Sequence, residues 1–322
     1  MRIKGLGAVI LIFAWTWSGL AVAENESAAT LLQRMQQAYR QLNFELTLVE
    51  SGQGQLEPKR LTRGHLDGQA FTHLTHLNGR PREFVQRDGD TSFFDASHGG
   101  YTLRNASLPG LFYRLQLMPL APMLTHYDAV LAGRSRVLGR VARVVRLAPR
   151  AEGYYGYMLW LDQETGLLLK LDTLDRDAGV VEQSMGVALR ISEEPGALVR
   201  ELKTAALPPA LSAAEVYPAP QHALPWQTGW LPVGLELRSE DKHKLPVTER
   251  LVEYLMLSNG LVDVSVYVAQ AGAHAEPQLV RQGATHLVSL VNPARVEITV
   301  VGDIPADTAL RIAESVEPRI TP

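Results

Sequence analysis

The stretch that decides the fold is DGQAFTHLTHLNGRPREFVQRDG, at residues 67–89. It contains the turn dipeptides Asp67-Gly68, Asn78-Gly79 and Asp88-Gly89, which are separated by short runs of mixed apolar and polar residues. These dipeptides tolerate the positive φ angles that tight hairpins require. The spacing therefore predicts short antiparallel strands joined as an up-and-down meander.

Upstream of this stretch, the apolar residues change at Asn43 from a helical spacing to the alternation of a strand. Phe44, Leu46 and Leu48 occupy alternate positions, as in a half-buried strand. Before them, Ser27 can cap a helix whose apolar residues recur at intervals of three and four. These residues are Leu31, Leu32, Met35, Ala38, Tyr39 and Leu42. One face of this helix is therefore expected to be buried.

Downstream, residues 108–132 are expected to be helical or irregular, because Pro109, Pro119 and Pro122 interrupt them. A second meander follows. Its strands are predicted near residues 136–148, 153–162, 167–174 and 180–191. A long antiparallel sheet of this kind must curl, and one helix against its concave face would cover the core. The sequence therefore predicts an open or half barrel.

Two domains are expected, joined by a linker at residues 204–225 that is rich in Ala, Leu and Pro. The N-terminal domain would span residues 24–203 and a smaller, partner-binding domain residues 226–322. The smaller domain has predicted strands near residues 249–257, 260–270, 283–291 and 296–301, and a helix from Pro305. The predicted fold class is thus α+β, an antiparallel half β-barrel with helices plus a smaller C-terminal α+β domain.

Residues 1–23 are interpreted as a secretory signal peptide, because Arg2 and Lys4 precede an uncharged run that ends in small residues at Ala23. Cleavage near Ala23 would release the chain into the periplasm. No later segment approaches the ~20 apolar residues of a spanning helix, so a water-soluble mature chain is expected. It has no cysteine and keeps 29 basic against 34 acidic side chains, which argues against nucleic acid as a partner.

No catalytic motif is found in the sequence. It lacks a Gly-x-Ser-x-Gly elbow, a His-Glu-x-x-His pair, a Walker loop and a dinucleotide-binding Gly-x-Gly-x-x-Gly. The closest histidines, His73 and His76, would point to opposite faces of one strand and so could not share a metal. They are interpreted as exposed strand residues. We expect no enzymatic activity, no metal and no cofactor.

Aromatic residues are the candidates for lipid binding. They would line a cavity suited to acyl chains if the curled sheet were incompletely filled, and would otherwise form an ordinary core. The candidates are Phe84, Phe93, Phe94, Phe112, Tyr113, Tyr155, Tyr157 and Trp160.

Arginines form a second candidate surface, because six of them follow one another with no acidic residue between Asp128 and Glu152. They would either lie on a solvated sheet face or bind lipid phosphates or an acidic peptide. The candidates for lipid phosphates are Arg134, Arg136, Arg143 and Arg146.

A third candidate set lies near the domain junction and consists of Trp226, Trp230 and Leu231. Indoles beside prolines could anchor a partner peptide. They could equally close the end of a small core.

Several stretches resemble the RseB/MucB regulators of the envelope-stress sigma factor, and the resemblance covers essentially the whole chain after residue 23. The stronger stretches are residues 82–87, 157–162, 174–177, 230–234, 298–303 and 311–314. The resemblance implies an N-terminal domain similar to the lipoprotein-carrier folds. It also implies binding to the periplasmic domain of a membrane anti-sigma factor, protection of that domain from the site-one protease, and release by lipopolysaccharide or a related lipid.

The family supplies no ligand residue that can be carried over. A lipid or lipoprotein carrier is the alternative, which the half barrel alone would favour, whereas the second domain favours the regulator. A hydrolase is the third class considered, and the sequence lacks the nucleophile constellation that a hydrolase requires. The sequence leaves open whether the chain forms a homodimer or a higher homo-oligomer.

Overall fold

A computed structural model describes residues 26–52, 54–96, 99–212, 223–244 and 251–319. The predicted signal peptide, residues 1–23, lies outside the described residues. The described strands form a twelve-stranded sheet, a six-stranded sheet and a two-stranded sheet.

The first sheet is built from the strands that precede residue 212. They are β1 (Asn43–Gly52), β2 (Gln55–Leu66), β3 (Gln69–His76), β4 (Arg82–Arg87), β5 (Asp90–Asp95), β6 (Gly99–Leu103), β7 (Tyr127–Val137), β8 (Arg140–Pro149), β9 (Gly156–Asp162), β10 (Leu168–Leu174), β11 (Val180–Ser192) and β12 (Ala210–Leu211). Their spatial order is β12-β6-β5-β4-β3-β2-β1-β11-β10-β9-β8-β7. Neighbours are antiparallel, apart from the parallel pair β12 and β6. The sheet is open, because β12 and β7 end it.

The predicted hairpins of residues 67–89 are confirmed. Asp67 and Asp88 both adopt a φ of 53°, and the glycines after them have φ angles of 79° and 91°. Each pair closes a turn between neighbouring strands, β2 with β3 and β4 with β5.

Helix α1 (Ala28–Gln41) covers one face of this sheet, called the inner face below; the opposite face is the outer face. As predicted, Ser27 caps α1, with its Oγ accepting a hydrogen bond from the Thr30 amide at 3.0 Å. Leu32, Met35 and Tyr39 of α1 are fully buried. They belong to the same core as inner-face residues of β1 to β4. Three short helices complete the first domain: α2 (Leu111–Arg114), α3 (Leu120–His126) and α4 (Ala197–Thr204).

Helix α4 covers part of the outer face and forms a small second core there. Val199 and Leu202 of α4 pack with Phe71 and Val85 of the sheet. Gly64 allows the close approach, because a Cβ atom at that position would lie 2.8 Å from a methyl group of Val199.

The C-terminal domain is a smaller α+β unit. It contains β13 (Trp226–Thr228), β14 (Glu236–Lys244), β15 (Leu251–Ser258), β16 (Asp263–Gln270), β17 (Gln278–Gln282), β18 (Thr285–Val291), β19 (Val296–Gly302), helix α5 (Ala306–Glu314) and β20 (Val316–Pro318). Its six-stranded sheet has the order β14-β15-β16-β19-β18-β17, and β13 pairs with β20. The predicted fold class is confirmed.

One predicted boundary is wrong. Residues 127–132 belong to β7 and not to an irregular interval, and the strand predicted over 136–148 is a hairpin of β7 and β8. The hairpin turns at Leu138 and Gly139, whose φ angles are 57° and 73°. Leucine rarely adopts a positive φ, and Leu138-Gly139 lacks the Asp-Gly or Asn-Gly signal of the turns at residues 67–68, 78–79 and 88–89.

The segment predicted as the linker contributes to the first sheet. Ala210 and Leu211 form β12, which pairs with Thr102 and Leu103 of β6. Residues 213–222 lie outside the described residues. The domain boundaries at 203 and 226 stay predictions.

A buried arginine fixes α1 to the sheet. Arg63 on β2 is 6% exposed. Its Nε donates to the carbonyl oxygen of Tyr39 near the end of α1, and its Nη1 donates to Thr72 Oγ1 at 2.6 Å. The guanidinium also lies 4.4 Å from the centroid of the Tyr39 ring. Burial lowers the pKa of Arg63, and the helix carbonyl and the ring compensate part of that desolvation.

Replacing Arg63 with Ala should lower the free energy of unfolding by about 2–4 kcal/mol, because a buried carbonyl and a buried hydroxyl lose their donor. Urea unfolding followed by circular dichroism measures this. Arg60→Ala is the matched control, since Arg60 is exposed on the same strand and should change stability by under ~0.5 kcal/mol. Equally small effects of both substitutions would contradict the prediction.

Candidate functional site

A row of aromatic rings crosses the inner face of β3 to β6. His76 and Phe84 have ring centroids 6.1 Å apart, Phe84 and Phe93 5.6 Å, and Phe93 and Tyr101 4.9 Å. Phe84 is buried, whereas Tyr101 is 46% exposed. Burial lowers the pKa of His76 to about 4, so its imidazole is uncharged at neutral pH. The row is therefore an apolar strip that opens to solvent at Tyr101.

Phe94 lies on the other side of the sheet. Consecutive strand residues point to opposite faces, so Phe94 packs on the outer face with the second core under α4. The structure thus brings Phe84 and Phe93 together and separates Phe94 from both.

The other aromatic candidates occupy three further places. Phe112 and Tyr113 of α2 are each 1% exposed and belong to the core that fills the inner face. Tyr155 and Tyr157 are also buried, close to the second domain. Trp160 lies on the outer face, where Lys170 Nζ stands 4.1 Å from its ring centroid. The eight predicted lipid-binding aromatics therefore do not line one cavity.

The arginines are divided between the faces as well. Arg143 pairs with Leu161, a residue of the inner-face core, and Arg134 pairs with Arg143. Because paired residues share a face of the sheet, both arginines lie on the inner side. Arg136, two residues after Arg134, lies on the same side. Arg146 pairs with Met158 and lies on the outer side. Within the described residues, Arg134, Arg143 and Arg146 have no acidic side chain within 4 Å.

The other arginines of the run have partners. Arg140 binds Asp162 through two bonds of 2.9 Å, and Arg150 binds Asp128 at 2.8 Å. Arg136 donates to the carbonyl oxygen of Gly139 at 2.8 Å.

The aromatic row and the arginines lie far apart along the sheet. Six strands separate β4 from β8. Seven interstrand steps of about 4.8 Å amount to roughly 34 Å along the sheet. Phe84 and Phe93 are therefore not neighbours of Arg143 in the sheet.

The three C-terminal candidates are half-buried against the core of the second domain. Trp226 Nε1 donates to Glu253 Oε2 at 2.6 Å, and the Trp230 ring lies 3.9 Å below the guanidinium of Arg311. Leu231 is partly buried beside them. The two indole rings and Leu231 thus pack against the core and expose only part of their surface.

The two domains are in direct contact. Arg114 Nη1 binds Asp263 Oδ2 at 2.6 Å, and the Tyr155 hydroxyl lies 3.2 Å from His286 Nδ1. Tyr154 donates to the Val233 carbonyl oxygen at 3.0 Å. Buried apolar residues of both domains form one continuous cluster, so a movement of one domain would disturb the packing of the other.

Two glycines bring the backbones of the two domains close together at this junction. A Cβ atom on Gly52 would lie 2.7 Å from Cα of Gly283. Beside them, Glu182 Oε2 accepts a hydrogen bond from the Ala284 amide at 2.9 Å. A cavity of about 220 Å³ lies next to this contact, lined by Gly110, Leu111, Tyr157, Thr173, Glu182, Ala284, Thr285 and Asp303.

The two neighbouring histidines lie on opposite faces of β3, as predicted, but they are not exposed. His73 Nε2 lies 3.0 Å from Glu83 Oε2, and His76 is covered by the Phe84 ring. Across the described ranges, no group of three or more His, Cys, Asp or Glu side chains could hold a metal ion. No helix in those ranges is long and apolar enough to cross a membrane.

Sequence reasoning missed Arg63, Glu182 and the pair Gly52 and Gly283. None of these residues belongs to a sequence motif. Arg63 contacts Tyr39, Glu182 contacts Ala284 and Gly52 contacts Gly283, and these partners are separated along the chain. Only the signal of a glycine inside a strand pattern, at Gly52, could have suggested a close backbone approach.

The first domain exposes the end of an aromatic row at Tyr101 and arginines on β7 and β8, and it shares one core with the second domain. This arrangement is that of a two-domain binding protein. The MucB/RseB N-terminal domain family matches residues 27–211, and the MucB/RseB C-terminal domain family matches residues 220–317. The chain therefore belongs to the MucB/RseB family.

Relatives agree with this assignment over nearly the whole chain. The sigma-E factor regulatory protein RseB of Salmonella typhimurium is 33% identical over 315 residues, which cover 96% of each chain. The sigma factor AlgU regulatory protein MucB of Pseudomonas aeruginosa is 28% identical, again over 96% of each.

A crystal structure of MucB in complex with MucA(peri) superposes with a TM-score of 0.72 at 28% identity, covering 91% of this chain and 100% of the other. A crystal structure of MucB alone gives 0.59 at 25% identity, covering 91% and 98%. The fold is thus that of MucB in both domains.

Glu182 should make stability depend on pH. Burial raises its pKa above the ordinary value of 4.5, so the folded state holds this proton more tightly than the unfolded state. The stabilising contribution is fully present below about pH 4.5 and is lost as pH rises through the folded-state pKa. Glu182→Gln, whose amide oxygen can still accept from Ala284, should remove this dependence.

Urea unfolding of both proteins between about pH 4 and about pH 7 measures the effect. The wild-type stability should fall relative to the variant as pH rises. Parallel curves would show that Glu182 does not titrate in this range.

Proposed function

We propose that this protein is a periplasmic negative regulator that binds the periplasmic domain of a membrane anti-sigma factor and shields it from the site-one protease. The observation that carries the proposal is membership of the MucB/RseB family in both domains. It is supported by the TM-score of 0.72 with a MucB that is bound to MucA(peri). Shielding requires only that a bound surface be withheld from the protease, so no catalytic group is needed.

Export to the periplasm is part of the proposal. Residues 1–23 would be removed near Ala23 by a signal peptidase, since a charged start, an apolar run and small residues precede this position. The partner domain lies in the same compartment. We infer further that the protein is not an enzyme, because its sequence has no nucleophile paired with a base.

The proposed release signal is lipopolysaccharide or a related lipid. The aromatic row from Phe84 to Tyr101 supports this part, because it offers an acyl chain an apolar strip with an open end. The shared core of the two domains gives lipid binding a route to the partner surface. If lipid weakens partner binding, linkage requires that the partner weaken lipid binding by the same factor.

A lipid or lipoprotein carrier remains the alternative. A carrier needs only the half barrel, whereas here the second domain packs on the first through Arg114, Tyr155 and Glu182. This direct packing favours a regulator, in which both domains act together.

The purified mature protein should slow cleavage of the cognate anti-sigma periplasmic domain by its site-one protease, without degrading that domain. The rate is measured by gel densitometry at increasing protein concentration. The protease acting on an unrelated peptide serves as the control, because direct inhibition would slow both reactions. An unchanged cleavage rate at saturating protein would refute the regulatory function.

Tyr101→Asp should weaken binding of lipopolysaccharide by about tenfold, because a charge at the open end of the row replaces an apolar contact worth about 0.8 kcal/mol per methylene. Calorimetric titration measures the affinity. Val187→Asp is the matched control, since Val187 is similarly exposed, at 48% against 46% for Tyr101, and lies on β11. An equal loss in both variants, or none in either, would contradict the prediction.

A further inference from the structure

Strand β7 is the last strand at one end of the first sheet. Its edge on the side away from β8 is not paired with a described strand. Among the strands that the structure describes, β8 is its sole neighbour, and the seven consecutive residues from Val130 to Arg136 are all exposed. Within the described structure, both faces and the free edge are therefore accessible along residues 130–136. An edge strand of this length carries unpaired amide and carbonyl groups that can pair with a further strand.

The hairpin geometry shows which backbone groups are free. Leu138 and Gly139 both have positive φ and form a two-residue turn of type I′, closed by the pair Val137 and Arg140. In such a hairpin the closing pair is hydrogen-bonded and the pairs alternate from there. The amide and carbonyl of Arg134 and Arg136 thus point away from β8, toward the open edge.

The side chains at this edge are basic and apolar. Arg134 and Arg136 belong to the run without acidic residues between Asp128 and Glu152. Val130 and Leu131 are 52% and 39% exposed. This combination attracts an extended segment that alternates acidic and apolar residues. A second copy of β7 fits poorly, because it would bring arginines close to arginines.

We propose that β7 binds an extended acidic segment of the partner by adding it to the first sheet as a thirteenth strand. The proposal rests on the proposed function, because the segment belongs to the anti-sigma periplasmic domain. Backbone bonds to Arg134 and Arg136 hold the segment, and the arginine side chains select its charge.

Arg136→Pro compared with Arg136→Ala tests the backbone bond. Both variants lose the same charge and the same bond to Gly139, but only proline lacks the amide that points outward. Proline is tolerated at an open edge because no bond to β8 is removed. We expect Arg136→Pro to bind the anti-sigma periplasmic domain about tenfold more weakly than Arg136→Ala, with the same melting temperature. Equal affinities would overturn the proposal.

Arg134→Ser compared with Arg60→Ser tests the charge. Both arginines are exposed, but Arg60 lies on β2, six strands from β7 in the sheet. We expect only Arg134→Ser to weaken binding, by about threefold at low salt, and added salt to reduce the difference. An equal loss in both variants would overturn the selection by charge.

If Arg136→Pro fails to fold, hydrogen exchange of the wild-type backbone amides, with and without the anti-sigma domain, tests the same contact. The amides of Arg134 and Arg136 should become protected when the anti-sigma domain binds. Binding without this protection would overturn the edge contact and leave the proposed function intact, whereas absent binding would refute the function itself. Protection by phosphatidylglycerol vesicles alone, or by raising the concentration of the protein alone, would show that the occupant is a lipid or a second copy, and either result would overturn the proposal.

Discussion

The buried guanidinium of Arg63 is the contact on which the first domain depends. The twelve-stranded sheet has an apolar inner face, and α1 packs on it as part of the same core. Arg63 holds the end of that helix by its carbonyl and its Tyr39 ring, and it is anchored to β3 through Thr72. Because desolvation makes such a charge costly when it is unpaired, the helix has one favourable position. The core between α1 and the inner face follows from that position.

The second domain depends on the first in a similar way. Gly52 and Gly283 let the two backbones touch, and Glu182 then reaches the Ala284 amide. Side chains larger than hydrogen at these glycines would hold the domains apart. Since the apolar core continues across this junction, the two domains are coupled through packing. Such coupling would transmit a signal between the proposed lipid surface and the proposed partner surface without any catalytic chemistry.

The exposed edge of β7 carries Arg134 and Arg136, and these charges have two consequences. Exposed edge strands invite aggregation, and natural proteins protect them with charged residues and bulges. Strand β7 has both, namely its arginines and an irregularity between Leu131 and Gly133. The same arginines repel another copy of the strand while they attract an acidic one. Under the proposed edge contact, the charges that oppose pairing with a second copy of β7 also select the partner segment.

The sequence by itself determined the elements whose signals are local. Ser27 and the spacing of Leu32, Met35 and Tyr39 specify α1, and the Asp-Gly turns specify the hairpins, because capping and turn geometry depend on neighbouring residues. It also indicated the family and both domains. It could not locate the turn at Leu138, where tertiary pairing overrides the preference of leucine. Only the tertiary structure decided that Phe94 and Trp160 lie on the outer face and that Arg63, Glu182 and Gly283 have partners, since strand order and curvature bring together residues that are distant in the chain.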